Sequence, residues 1–325
     1  MSSRTTCLYY KSAIAVLALL LGGMAARCAL PWTDDPPETT AAYSCMEVPR
    51  QITFCNEQID LTRFDRRERM DRELLAMTYM HSNSLQIIKR ANRYLPVIER
   101  LLADNGVPDD LKYLMVIESS LNPLALSAVG AAGLWQFMPD TGREFGLTVN
   151  SHVDERYHIE QATRAACRYL KQAYAKYGNW LSVAAAYNGG QGRISKEHAR
   201  QYEDEALDLH LTEETARYIY RILAAKLLLT DPRPFGFRLR ASDLYAPIPF
   251  REITVGSTIE DLPRFAKSQG TTYALLRQLN PWIRGRSLPV QGKTGYVLRI
   301  PDPEGMHYNP KVIIPHHPQW VTEEP

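Results

Sequence analysis

The sequence has no large excess of charge of either sign, because 38 basic and 36 acidic residues give a formal net charge of +2 over 325 residues. This balance excludes a polybasic nucleic-acid arm or an acidic solvating tail as the main feature. No apolar run reaches the roughly 18 residues of a membrane-spanning helix, which excludes a polytopic membrane protein. CxxC pairs and the His/Cys spacings of zinc sites are absent from the sequence, so we expect no metal and no cofactor.

What is present is typical of a folded protein: 45% apolar and 23% charged residues. At roughly 150 residues per domain, the length suggests two domains with ample chain for one sizeable core. No internal repeat is evident. The sequence gives no indication of the oligomeric state.

The N-terminus has the pattern of a secretory signal. Arg4 and Lys11 flank the start, residues 12–24 are apolar, and small residues follow. Two outcomes remain open. Cleavage after the small residues would release the chain, whereas lipidation of Cys28 would anchor it as an outer-membrane lipoprotein, although Arg27 is unusual before a lipidated cysteine. In either case we expect an exported protein in the periplasm or cell envelope.

The five cysteines support export only weakly. Cys45 and Cys55 lie close in sequence and could close a small disulfide loop in an oxidising compartment. Cys167, in the helical pattern RAACRYL, is expected to be a buried small apolar residue.

Hydrophobic periodicity over residues 71–229 predicts a mainly α body. Pro96 is expected in the first turn of a helix that stops at Gly106, because proline is tolerated there. Residues 159–177 place apolar side chains along one stripe and precede a glycine. Thr212 is expected to cap a last long helix.

A proline-rich stretch follows. After it, the sequence pattern predicts a strand, two helices and a second strand, which together form a small C-terminal β-α-α-β module. The fold class is therefore mainly α with this module appended. In chain order we predict a signal sequence (1–27), an N-terminal lead-in (28–70), a helical body (71–230), a Pro-rich linker (231–250), the module (251–301) and a Pro-rich, extended tail (302–325).

A carboxylate, Glu118, ends a predicted helix whose last turns read LMVI. Burial disfavours the ionised form of a carboxyl group, which raises its pKa and keeps it protonated near neutral pH. Such a group suits general-acid cleavage of a glycosidic bond. The alternative is a glutamate that only caps a helix end or forms a salt bridge, which is the commoner role of an isolated Glu.

Four motifs surround this residue in chain order: ES-x-x-NP (118–123), GAAGLWQFMP-x-TG (130–142), AYNGG (186–190) and ET-x-x-Y (214–218). Together they resemble the lytic transglycosylases with a goose-lysozyme-like catalytic domain, over residues 85–229. The resemblance implies a lysozyme-like helical domain that cleaves the β-1,4 bond between N-acetylmuramic acid and N-acetylglucosamine. The implied partner is the glycan strand of peptidoglycan, with no role for nucleic acid.

The resemblance also implies roles for individual residues, with Glu118 as the sole catalytic acid and base. Ser127 and Tyr187 would position the substrate's acetamido group or the catalytic carboxyl. Glu214 would support the same pocket, although its place in a first helical turn also suits a partner of the helix dipole. The implied substrate-binding residues are Ser119, Ser127, Gln136, Met138, Tyr187, Asn188, Glu214 and Tyr218.

One carboxylate is fewer than ordinary glycosidases use. Such a motif set favours substrate assistance, in which the acetamido oxygen attacks the anomeric carbon and a 1,6-anhydro ring forms without water. Two alternatives stay open: a goose-type lysozyme that uses water, and a non-catalytic peptidoglycan-binding protein.

The C-terminal module resembles LysM, a small glycan-binding domain, over residues 252–301. Glycan binding and packing against the body are both open roles for it. The prolines of the linker favour a module that is separate from the body.

Overall fold

The computed structural model describes residues 45–290 and 295–322. The predicted signal sequence, the lipid-anchor site at Cys28 and the first part of the predicted lead-in, residues 28–44, lie outside the described residues. Within the described ranges, no helix has both the length and the apolar character needed to cross a membrane.

The described chain forms ten α-helices and two small antiparallel sheets. A hairpin comes first, then eight helices of the body, then a module with two strands and two helices. In chain order the elements are β1 (Gln51–Phe54), β2 (Glu57–Asp60), α1 (Phe64–Tyr79), α2 (His81–Asp104), α3 (Lys112–Ser119), α4 (Pro139–Glu144), α5 (Ile159–Tyr177), α6 (Trp180–Gly189), α7 (Gln191–Gln201), α8 (Glu213–Thr230), β3 (Phe250–Val255), α9 (Leu262–Ser268), α10 (Tyr273–Leu279) and β4 (Tyr296–Pro301). The predicted fold class, mainly α with a C-terminal β-α-α-β module, is confirmed.

The core of the body is built around α6, whose stretch Val183–Ala186 is fully buried. Its N-terminus is capped by Asn179, whose side-chain oxygen accepts the backbone N–H of Ser182 at 2.7 Å. Helices α5, α7 and α8 pack around α6, and α8 also packs on α1 and α3. Small side chains such as Ala162 and Ala166 line the buried face of α5, so the helices approach closely. This packing places the end of α3 beside the middle of α8.

The prediction for Pro96 is wrong, because Pro96 lies inside the 24-residue helix α2. Proline removes one backbone hydrogen bond from a helix interior. Its neighbours Leu95 and Ile98 are completely buried against the other helices. Tertiary packing of this face therefore holds the helix together across the missing hydrogen bond.

The structure does not contain the disulfide considered between Cys45 and Cys55. Cys45 is exposed and Cys55 is buried, and both are free thiols. Cys55 and Asn56 form the turn between β1 and β2 with positive φ values of 50° and 68°. The backbone N–H of Cys55 donates to Asp110 Oδ2 at 2.7 Å, which fixes the turn on the body. The hairpin was not predicted, whereas the burial of Cys167 is confirmed.

The C-terminal module pairs β3 with β4 in antiparallel register, from Phe250 opposite Pro301 to Val255 opposite Tyr296. Its apolar core is continuous with three side chains of the body: Ala132, Val153 and Tyr157.

Backbone hydrogen bonds join the module to the body. The N–H of Asp154 donates to the carbonyl of Trp282 at 2.8 Å, and that of Arg284 donates to the carbonyl of His152 at 2.7 Å. The expectation of a separate module is therefore wrong, because the module packs directly on the helical body.

The Pro-rich tail was predicted to be extended, yet it lies along the body in short 3₁₀ turns. Trp320 is 2% exposed. Its indole Nε1 donates to the carbonyl of Leu229 at 2.6 Å, near the end of α8. The backbone N–H of His316 donates to Asn92 Oδ1 at 2.7 Å, on α2. The tail therefore covers part of the helical core.

Candidate active site

Glu118 lies in the last turn of α3, where the chain turns sharply. Ser120 and Leu121 both have positive φ, at 49° and 57°. The N–H of Ser120 closes the helix on the carbonyl of Val116 at 2.8 Å, and Arg90 Nη1 donates to the carbonyl of Ser120 at 3.0 Å. This turn ends the apolar helix at its acidic residue and leaves the side chain partly open to solvent.

The environment of Glu118 makes its carboxyl group a weaker acid than an ordinary glutamate side chain. Burial raises the pKa of Glu118 to about 7, against opposing effects of a hydrogen bond from Tyr218 and the positive charge of Arg221. The negative charge of Glu214 raises this pKa further. A carboxyl group with a pKa near neutral pH can both donate and accept a proton.

Tyr218, on α8, contacts the carboxyl directly. Its hydroxyl donates to Glu118 Oε1 at 2.5 Å. Burial and the adjacent Glu118 raise the pKa of Tyr218 well above its ordinary value, so the phenol stays protonated as a donor. Arg221 lies one helical turn further along α8. It was missed by the sequence analysis, although its i+3 spacing from Tyr218 places it on the same helix face.

The loop 124–137 carries two more of the predicted residues, Ser127 and Gln136. Ser127 Oγ accepts the backbone N–H of Ala131 at 2.9 Å. Gln136 has a positive φ of 49°, and its amide donates to the carbonyls of Ala125 and Gly133 at 3.2 and 2.7 Å. Both predicted residues therefore hold the loop in shape. Met138 follows with an exposed side chain.

Tyr187 and Asn188 lie at the end of α6. The hydroxyl of Tyr187 donates to the carbonyl of Trp135 at 2.7 Å, which ties α6 to the loop. The negative charge of Glu118 contributes to raising the pKa of Tyr187, which shows that the two groups are near each other. Asn188 Oδ1 accepts the hydroxyl hydrogen of Thr215 at 2.9 Å, which links α6 to α8.

Two predicted residues lie at the margins of this arrangement. Glu214 is exposed in the first turn of α8. Ser119 is buried, and its hydroxyl donates to the carbonyl of Met115 at 3.2 Å within its own helix. The structure thus brings Tyr187, Tyr218 and the charge of Glu214 close to Glu118, whereas the side chain of Ser119 is directed into α3.

A buried ion pair that the sequence analysis missed holds the loop in place. Arg156 Nε and Nη2 donate to the two carboxylate oxygens of Asp154 at 2.9 and 2.7 Å. Arg156 Nη1 donates to the carbonyls of Gly130 and Phe137 at 2.7 and 3.0 Å. The guanidinium thus joins both ends of the 130–137 segment. No periodic pattern marks these residues, because they lie in an irregular connection before α5.

The residues that the structure describes include no group of three or more His, Cys, Asp or Glu side chains placed to hold a metal ion.

Two family models match the chain. Residues 96–209 match the transglycosylase SLT domain, and residues 251–304 match the soluble lytic transglycosylase C-terminal LysM-like domain. The two matched stretches are thus similar to a transglycosylase SLT domain and to a LysM-like module, in that order, and the resemblance inferred from the four motifs is confirmed.

Individual relatives are lytic transglycosylases by name. Membrane-bound lytic murein transglycosylase D of Escherichia coli is 29% identical over 231 residues, which cover 70% of this chain and 50% of the relative. Membrane-bound lytic murein transglycosylase C of Haemophilus ducreyi is 31% identical over 121 residues, covering 33% of each chain. The 70 kDa soluble lytic transglycosylase of Escherichia coli has a TM-score of 0.35 at 26% identity, over 41% of this chain and 23% of that one. The chain spans about half the length of the first of these relatives.

Proposed function

We propose that this chain is a peptidoglycan lytic transglycosylase with Glu118 as its single acid and base. The observation that carries the proposal is the carboxyl of Glu118, which is held by Tyr218 and has a pKa of about 7. A carboxyl with this pKa can give a proton and take one back near neutral pH. The two family models and the names of the relatives support peptidoglycan as the substrate class.

In the proposed reaction, protonated Glu118 gives its proton to the glycosidic oxygen between N-acetylmuramic acid and N-acetylglucosamine. The acetamido oxygen of the muramic acid attacks its own anomeric carbon as the C–O bond breaks. Glu118, now ionised and stabilised by the Tyr218 hydroxyl, removes the proton of the C6 hydroxyl. The C6 oxygen then displaces the acetamido oxygen, which yields 1,6-anhydro-N-acetylmuramic acid and returns Glu118 to its protonated form.

The surrounding residues have supporting roles in this proposal. Ser127 and Gln136 shape the loop that would contact the sugar, and Tyr187 anchors that loop to α6. Met138 offers an exposed apolar side chain to a sugar face, and Asn188 braces α6 against α8. Glu214 keeps the pKa of Glu118 high through its charge. Ser119 stabilises the last turn of α3 rather than binding sugar.

The predicted organisation fits this assignment. We propose that residues 71–230 form the catalytic domain, with 231–250 as a connection that leads into the module at 251–301. The signal at 1–27 would direct the chain to the cell envelope. Cell fractionation with labelled palmitate tests the anchor, and label that persists after Cys28→Ala would exclude this cysteine.

Mass spectrometry of the products released from purified sacculi tests the proposed activity. Anhydro-muramic ends are expected from the wild-type chain. Reducing ends would identify a goose-type lysozyme instead. Glu118→Gln should lower product release by about 10²–10⁴-fold, because the amide fills the same volume but cannot exchange a proton.

The matched control is Glu68→Gln, an exposed carboxylate on α1, which should retain full activity. Near-wild-type release by folded Glu118→Gln would contradict the assignment. Binding of glycan without cleavage by the wild-type chain would favour the non-catalytic alternative. That alternative is disfavoured at present, because a pure binding protein gains nothing from a carboxyl group kept in an apolar site.

A further inference from the structure

A cavity of about 570 Å³ lies between the helical body and the C-terminal module. Its walls come from α2 and α5 on one side and from β3, β4 and the segment after α10 on the other. Its size is in the range of sites that bind small ligands. The cavity exists because the module packs on the body, so neither part forms it alone.

The charges that line this cavity are unbalanced. Its two carboxylates, Glu160 and Glu252, both pair with Arg299. Three further guanidinium groups line it, those of Arg90, Arg93 and Arg164.

The hydrogen bonds that the structure gives for two of these three arginines go to neutral backbone carbonyls. Arg90 donates to the carbonyl of Ser120 and Arg93 to the carbonyl of Ala246, at 3.0 and 2.8 Å. Among the described residues, no carboxylate forms an ion pair with Arg90, Arg93 or Arg164. The cavity is therefore a cationic site with donors left for an anion.

Apolar surface completes the cavity. Trp282 stacks on His158 with ring centroids 5.6 Å apart, and Phe250 lies under the guanidinium of Arg299 at 4.4 Å. An inorganic anion alone would leave these rings uncovered. A ligand that has both carboxylates and a backbone of several atoms matches guanidinium groups and aromatic rings together.

The cavity is connected to the candidate active site through the chain itself. Residues 122–124 line it, and they belong to the turn that directly follows the helix end carrying Glu118. One short turn therefore connects the helix end that carries Glu118 to a wall of the cavity.

We propose that this cavity binds the peptide stem of the peptidoglycan strand, with its free carboxylates on Arg93 and Arg164, while the sugars lie at Glu118. This inference rests on the proposed function and names a further part of the same substrate. The glycan is neutral apart from its stems, so uncompensated guanidinium groups recognise the peptide and not the sugars. The module then serves as one wall of a peptide site.

The test measures binding to the full chain carrying Glu118→Gln, so that no substrate is consumed. The probes are a soluble stem-bearing glycan fragment, the same fragment after its stems are removed, and the fragment with its stem carboxylates amidated. The double variant Arg93→Gln/Arg164→Gln should weaken binding of the first probe about tenfold, because charge-assisted hydrogen bonds are lost. Its affinity for the other two probes should not change.

The matched control is Arg100→Gln, an exposed arginine on the same helix α2 and outside the cavity, which should change none of the affinities. Added salt should weaken binding of the stem-bearing probe more than binding of the amidated one.

Equal losses for all probes, or no loss for any, would overturn the inference. If the double variant melts at a lower temperature, the single variant Arg164→Gln decides, because Arg164 is exposed. Binding is measured without catalysis, so a failure to form anhydro ends would refute the proposed function and leave this result standing.

Discussion

The backbone carbonyl oxygen of Arg156 occupies the space that a side chain on Gly133 would need, since a Cβ at residue 133 would lie 1.9 Å from that oxygen. Gly133 also has a positive φ of 76°. The guanidinium of Arg156 meanwhile holds Gly130 and Phe137. Arg156 thus contacts the loop through both its backbone oxygen and its guanidinium group. The loop can approach the backbone of Arg156 this closely only with glycine at position 133.

Gly133→Ala should therefore displace the loop and reduce product release at least about tenfold, at a cost of about 1–3 kcal/mol in the free energy of unfolding. Muropeptide release and a melting curve measure the two effects. Gly192→Ala is the control, because a Cβ at residue 192 would meet nothing within 4 Å. That variant lies in α7 and should be neutral or slightly stabilising. Equal activities of the two variants would contradict this account of the loop.

Tyr218→Phe should move the alkaline limb of the pH–activity profile to higher pH. Glu118 must be protonated to act as an acid, so activity falls as the pH rises through its pKa of about 7. The hydrogen bond from Tyr218 lowers that pKa, and its loss raises it. A kcat/KM profile measures the shift. Tyr187→Phe serves as control, because its hydroxyl binds the carbonyl of Trp135 and not Glu118. A limb that stays in place, or moves to lower pH, would refute the role of Tyr218.

Glu118→Gln should gain stability relative to the wild type as the pH rises. The folded-state pKa of Glu118 is raised from 4.5 to about 7, so its protonated form favours the folded state at low pH. That contribution is lost as the pH rises between these two values, because the ionised carboxylate is then held in a poorly solvated site. The difference between the variants should change by up to about 3 kcal/mol over this window.

Denaturant unfolding at several pH values measures this difference. The control is Glu68→Gln, which removes an exposed carboxylate on α1. A pH-independent difference for Glu118→Gln would show that the carboxyl is not desolvated.

Trp320→Ala should lower the free energy of unfolding by about 3–5 kcal/mol, because a buried indole and its hydrogen bond to Leu229 are both lost. Thermal melting measures the loss. Ile314→Ala, in the same tail but 80% exposed, should stay within about 0.5 kcal/mol of wild type. Similar melting temperatures for the two variants would show that the tail adds no stability to the body.

Local patterns predicted several elements well. The bounds of α5 agree with the predicted residues 159–177, since its stripe of small apolar side chains ends at Gly178, which has a positive φ of 71°. The position of Glu118 at the end of an apolar helix was equally readable. In each case the signal lies within one turn or one helix face.

Contacts between distant residues were not readable in this way. The hydroxyl of Tyr218 meets a carboxyl that is 100 positions away in the chain. Arg156 acts through backbone carbonyls, which no residue pattern marks. Pro96 shows the reverse case, in which a strong local signal for a helix start is overridden by the buried side chains on either side of it. At such residues the local structure is determined by tertiary packing, which cannot be predicted from local patterns in a single sequence.

The hydrogen bond from Trp320 to Leu229 joins residues that are 91 positions apart. During synthesis, α8 leaves the ribosome long before the residue that completes its C-terminal end. The helix that carries Tyr218 therefore lacks this partner until the whole module has been synthesised. A chain cut before residue 320 would therefore keep α8 but lose the indole that bonds to its C-terminal end.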